Sequence, residues 1–131
     1  MSITKYHNEN WDNQDVRTAT TGEAIAFERA CVIVASAELI KTTADTDVAV
    51  GLSSDSYASG DQGEYIQRGH LRFVAGGTIA VGDPLCPDDG TAGRIRTAVS
   101  GDLVVGRATA TAAAAEFGYG NFDFVSPHLL A

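Results

Sequence analysis

Three histidines, two cysteines and a short group of aspartates are the side chains in this sequence best suited to chemistry. His7, His70 and His128 lie far apart, with no pair at the spacing that sets two imidazoles on one helix face around a metal. A Ser-His-Asp site can assemble from distant positions, and His70 has many Ser and Asp candidates, but the chain contains no G-x-S-x-G elbow to present a nucleophile. Asp83, Asp88 and Asp89 have the hard oxygens that Ca²⁺ prefers without the D-x-D-x-D-G spacing of a calcium loop, and Asp and Pro favour turns in their own right. Gly76-Gly77 and Gly118-Tyr119-Gly120 lack the GxxxxGK[ST] frame of a phosphate cradle, and their ordinary use is in turns and bulges. Cys31 and Cys86 sit in apolar or proline-flanked settings without a partner at redox or metal spacing, so both are expected to be small buried hydrophobes. The expectation is a protein that is not an enzyme, with no catalytic residues, no metal site and no cofactor.

The elements that hold these residues are mostly short and β-forming. Met1 to Thr20 is rich in Asn, Asp, Gln and Thr, has no apolar period and carries Tyr6 and Trp11, the composition of an extended N-terminal arm. From residue 21 to 131 a single domain is expected, with β-branched segments separated by Gly, Asp and Ser. Ile25 to Ile40 is the hardest segment: Thr20 and Glu23 resemble a capping box, but Cys31-Val32-Ile33-Val34 favours a strand. Asp47 to Leu52 reads as a strand, and Ser53 to Gly63 as an exposed loop with Tyr57 at its tip. Glu64 to Val74 alternates, with Tyr65, Gln67, Gly69, Leu71 and Phe73 on one, mainly apolar face and Glu64, Ile66, Arg68, His70 and Arg72 on the other, mainly polar one, as in one half-buried antiparallel strand.

Arg94 to Val99 and Leu103 to Thr111 read as a hairpin joined through Ser100-Gly101-Asp102. Ala112 to Ala115 allows one helical turn. The closing segment spaces Phe117, Tyr119, Phe122 and Phe124 with glycines and ends in Leu129-Leu130, suited to a final core strand or to covering a neighbouring subunit. The fold class is all-β: a compact antiparallel barrel or sandwich of short strands with at most one short helix and no clear internal repeat.

Composition narrows the partners. The 131 residues carry 17 acidic against 9 basic side chains, a formal net charge of -8, with the basic ones scattered except for Arg94 and Arg96. Nucleic acid is a poor partner on those terms, because binding it depends on clustered Lys and Arg. No apolar run approaches the roughly 18 residues of a membrane span, and the opening residues lack a signal peptide, so no membrane association and no export by that route are expected.

After Thr21 the order TGEAIAFERACVIV, TDVAVGLSSDSYASGDQGEYIQRGHLRF, GGTIAVGDPLC and GDLVVGRATATAAAAEF resembles phage head decoration, or structural cement, proteins. The shared grammar is a variable arm, a Val-Gly-Leu strand end, a loop with Tyr-x-x-Gly-Asp, a strand carrying Gly69, a Val-Gly-Asp-Pro-Leu turn and a late Val-Gly-Arg-Ala strand. The resemblance implies a β-rich homotrimer on the outer capsid surface of the virion, bridging major capsid protein subunits and stabilising the assembled head. On that reading Tyr6, Trp11 and Tyr57 are the expected capsid contacts, and Phe122, Phe124, Leu129 and Leu130 the expected subunit-interface residues. The alternative from another class is a carbohydrate- or receptor-binding β-module using Tyr57, Tyr119 and the exposed loop.

Overall fold

The computed structural model describes residues 15–44 and 48–131. Among them all regular structure is strand. One five-stranded antiparallel sheet contains β1 (Val16–Thr20), β2 (Ala30–Ile33), β3 (Leu39–Lys41), β4 (Gly51–Ser53) and β5 (Gln62–Ile66), in the order β1-β5-β4-β2-β3. A second contains β6 (Arg68–Val74), β7 (Pro84–Pro87), β8 (Ile95–Thr97), β10 (Gly106–Ala108) and β11 (Phe117–Asp123), in the order β6-β11-β10-β7-β8. A two-stranded ribbon joins β9 (Leu103–Val104) to β12 (His128–Leu129). Among the described residues no ladder joins β1 to β3 or β6 to β8, whose ends meet only at single parallel bridges, so the all-β expectation holds in its sandwich form and neither sheet closes as a full barrel.

The two sheet orders are the same order when β1, β5, β4, β2 and β3 are read as β6, β11, β10, β7 and β8. The connections repeat as well. Ile25 exchanges both backbone hydrogen bonds with Tyr57, and Ile79 does so with Ala112. Thr21 bridges Leu39 in parallel as Ala75 bridges Ile95, followed by Gly22 N–H to Leu39 O at 2.9 Å and Gly76 N–H to Ile95 O at 2.7 Å. The chain is a duplicated unit, which corrects the expectation of no internal repeat.

Few side chains survive between the copies: Gly22 and Gly76, Ile25 and Ile79, Ala26 and Ala80, Val50-Gly51 and Val105-Gly106, Ala58 and Ala113, Gly63 and Gly118. The glycines among them mark tight approaches. A β-carbon on Gly51 would lie 2.6 Å from the Ile66 carbonyl oxygen, and one on Gly106 would lie 2.7 Å from that of Asn121. The frame constrains backbone clearance and little else, so its repetition leaves a faint trace in the sequence.

Three local expectations change. Of Ile25 to Ile40, Ala30–Ile33 and Leu39–Ile40 are extended in the hairpin β2–β3, with Ala37 at φ 64 in its turn, whereas Phe27-Glu28 is itself a turn with Glu28 at φ 60. The supposed capping residue Glu23 instead accepts a hydrogen bond from Lys41 N–H at 2.8 Å. Glu64 to Val74 is not one strand. It passes from the first sheet to the second at Gln67, whose N–H donates to Asp15 O and whose carbonyl accepts from Phe124 N–H. That switch explains why Tyr65 and Ile66 are both buried where strict alternation would bury one. The segments around Ser100-Gly101-Asp102 are not paired as a hairpin, because β7 lies between β8 and β10. Ala112 to Ala115 forms a turn without a helix, with Ala115 at φ 68.

The main core draws on both halves. Ala30, Ala49, Leu52 and Ile66 from the first pack with Leu71, Phe73, Ile79, Leu85, Ile95, Phe122 and Phe124 from the second. The three phenylalanine rings form a continuous stack, with Phe73 edge-on to Phe122 at 5.5 Å and Phe122 parallel to Phe124 at 5.3 Å. A smaller cluster of Ile25, Cys31, Leu39 and Tyr65 belongs to the first half alone. Val16–Thr20, expected in the arm, pairs along its length with β5; Tyr6 and Trp11 lie outside the described residues.

Candidate interaction surface

Alternation on β6 and β11 separates two kinds of side chain. Leu71 and Phe73, with Gly118, Gly120 and Phe122 opposite them, turn into the core. Their neighbours Arg68, His70 and Arg72, with Phe117, Tyr119 and Asn121, therefore lie on the outer face. Glycine at 118 is required here: a β-carbon there would meet the Phe73 ring at 2.5 Å. The small inner residues let the strand sit close over the core while its outer positions carry large aromatics. Phe117 is 52% and Tyr119 42% exposed, well above what a folding role needs.

Arg72 organises this face. Its guanidinium donates through both Nε and Nη2 to the two carboxylate oxygens of Glu28 at 2.6 Å. It lies 4.1 Å over the Phe117 ring and 5.8 Å from that of Phe27, itself an exposed residue. Hydrogen bonding to Glu28 raises the Arg72 pKa above its ordinary value. Glu28 holds φ 60, a left-handed conformation that is rare outside glycine, asparagine and aspartate. At the matching turn of the second half stands Gly82, with φ 87. The first half thus accepts a strained backbone at the residue that pins Arg72 between two rings.

The chemically suited residues have local partners. His70 Nε2 lies 2.9 Å from Thr109 Oγ1, and its ring stacks on Tyr119 at 6.3 Å. The Asp83 carboxylate accepts from Ala80 N–H and Thr97 Oγ1–H, and that of Asp88 from Gly90 and Thr91 N–H, the turn chemistry expected of them. Asp88, Asp89 and Asp102 surround Arg96 at 3.9, 3.6 and 2.9 Å. Burial opposes the charge of Arg96, yet its hydrogen bond to Asp102 and the surrounding carboxylates raise its pKa. Burial likewise opposes the Asp102 carboxylate, but the Arg96 and Val99 hydrogen bonds bring its pKa below the ordinary value. Cys31 and Cys86 are both buried, and burial pushes the Cys31 thiol up to about 12.

The site residues expected from sequence scatter. Tyr6, Trp11 and His7 lie outside the described residues. Tyr57 is half-buried, fixed by its backbone exchange with Ile25 and by its hydroxyl 3.1 Å from Ser54 Oγ, so it braces the loop and does not stand at its tip. Phe122 and Phe124 are each 4% exposed and fill the core of the single chain, which corrects their placement at a subunit interface. Leu130 packs against Cys86, Ala98 and Val104, whereas Leu129 is exposed. Phe27, Arg72 and Phe117 were not among the expected contacts. The signal for Phe117 and Tyr119 lay in the period-two alternation with Gly118 and Gly120; nothing local in the sequence linked Glu28 to Arg72.

No family model and no curated protein matches this sequence. The fold is similar to that of the head fiber gp8.5 N base in bacteriophage phi29, with a TM-score of 0.69 and 17% identity over 85% of this chain and 95% of that one.

Proposed function

We propose that this chain is a non-catalytic structural protein of a phage virion that binds the outer surface of the head and stabilises the assembled shell by bridging major capsid protein subunits. The observation that carries this reading is the likeness to the phi29 head fiber base over nearly the whole of both chains. The decoration-protein grammar in the sequence agrees with it. The physics suits adhesion: a sheet-built body gains strength by touching several subunits at once, without any reacting group. Trimers seated where shell subunits meet, with neither nucleic acid nor membrane as partner, complete the reading.

The test is co-sedimentation of the purified chain with expanded heads and with unexpanded precursor shells of the phage that encodes it. Binding to expanded heads and not to precursors is the expected result. Failure on every expanded head, with retention on a glycan array, would move the assignment to a carbohydrate-binding module. Light scattering on the free protein reads whether trimers exist before attachment.

A further inference from the structure

The duplication supplies an internal control on which surface residues the frame itself requires. The pair Thr18 and Glu64 across β1 and β5 occupies the positions that Arg72 and Tyr119 occupy across β6 and β11, and Gln62 stands where Phe117 stands. The same strand order forms around either set. The large outer side chains of the second half are therefore not demanded by the backbone, and Phe117 and Tyr119 leave about half of their surface in water. The strained Glu28 points the same way, since the equivalent turn is made with glycine.

Exposed aromatics around a guanidinium already fixed in one rotamer are the ingredients of a binding hot spot, because little side-chain freedom remains to be lost on contact. Resting on the head-surface reading above, we infer that the outer face of β6 and β11, centred on Phe27, Arg72, Phe117 and Tyr119, is the surface that docks on a shell protein presenting carboxylates beside apolar side chains.

Charge selects that partner. Arg68, Arg72 and Arg107, three of only nine basic residues in a chain of net charge -8, share this side of the second sheet with two carboxylates, Glu28 bonded to Arg72 and Asp123 3.3 Å from Arg68, so the guanidiniums outnumber the carboxylates that answer them. An acidic surface is drawn to it. A second copy laid face to face would oppose guanidinium to guanidinium. A saccharide would find one side of the Phe117 ring covered by Arg72.

The experiment uses expanded heads lacking this protein, from the phage that encodes it, and the full chain with residues exchanged for those at the matching positions of the first half. F117Q/Y119E should lower head affinity at least tenfold at unchanged circular dichroism and melting temperature, and rising salt should weaken the wild type. T18A/Q62A, at the matching positions of the first half, should bind as the wild type does. If F117Q/Y119E does not fold, Tyr119→Ser alone is judged by the same loss. Wild-type binding that survives the exchange would overturn this inference and leave the head-surface reading standing. A wild type that binds no head would end both. Equal loss in T18A/Q62A, or dimers of the free protein abolished by F117Q/Y119E with head binding intact, would also overturn it.

Discussion

At Glu28 two effects oppose each other, and substitutions can separate them. A non-glycine residue at positive φ costs on the order of 1 kcal/mol, and a partly exposed bidentate ion pair returns about as much. Glu28→Ala keeps the strain and loses the pair, so it should destabilise by about 1 kcal/mol. Glu28→Gly loses the pair and relieves the strain, as Gly82 does in the other half, so it should be near neutral. Urea denaturation of the two variants decides the matter, and alanine equal to or better than glycine would contradict the account. Asp102 gives a pH-dependent case. Its pKa is lower in the folded chain than in the unfolded one, so the folded state gains from its charge above the ordinary carboxylate value of 3.8 and loses that gain as pH falls through the lowered value. Asp102→Asn should therefore cost about 1–3 kcal/mol at neutral pH, with the gap to the wild type closing below about pH 4. A gap unchanged from pH 7 to pH 3 would remove the ion pair with Arg96 as its cause.

Between strands, the duplicated glycines test whether the two halves obey the same constraint. Gly51→Ala and Gly106→Ala each force a methyl against a neighbouring carbonyl and should each lower stability by about 1–3 kcal/mol. Thermal melts that show one position tolerant would mean the copies have diverged in backbone clearance. Strand type was legible from the sequence wherever β-branched residues ran together, as at Cys31 to Val34, and the alternation of Leu71 and Phe73 against His70 and Arg72 named the correct inner face. Strand pairing was not legible. Leu103 to Ala108 lies beside its sequence neighbours in the chain but pairs with β7, β11 and β12, and only the assembled sheets decide that. The two Val-Gly fragments, at residues 50–51 and 105–106, are the same landmark in two copies, concealed because Leu52 and Ser53 are matched by Arg107 and Ala108. The candidate surface was half visible: its aromatics were apparent, whereas the Glu28–Arg72 contact spans 44 positions and leaves no local pattern.

For the molecule as a whole, the shared core sets the cooperative unit. Leu52 and Ile66 pack in the same cluster as Phe73 and Phe122, so neither half can bury its apolar surface alone. Calorimetry should show one transition, and a fragment covering residues 15–66 should stay unfolded; two resolved transitions would show that each half is autonomous. The contact at Gln67 has one more implication. Asp15, Gln67 and Phe124 are joined by consecutive backbone hydrogen bonds of 2.7 and 2.9 Å, which brings the start of the first half, the junction and the end of the second to a single point. A circular permutant opened at that junction, with a linker from Ala131 long enough to reach Asp15 without displacing β12, would read the halves in reverse order while keeping every strand neighbour. The order of the copies along the gene would then be a matter of ancestry, not of architecture.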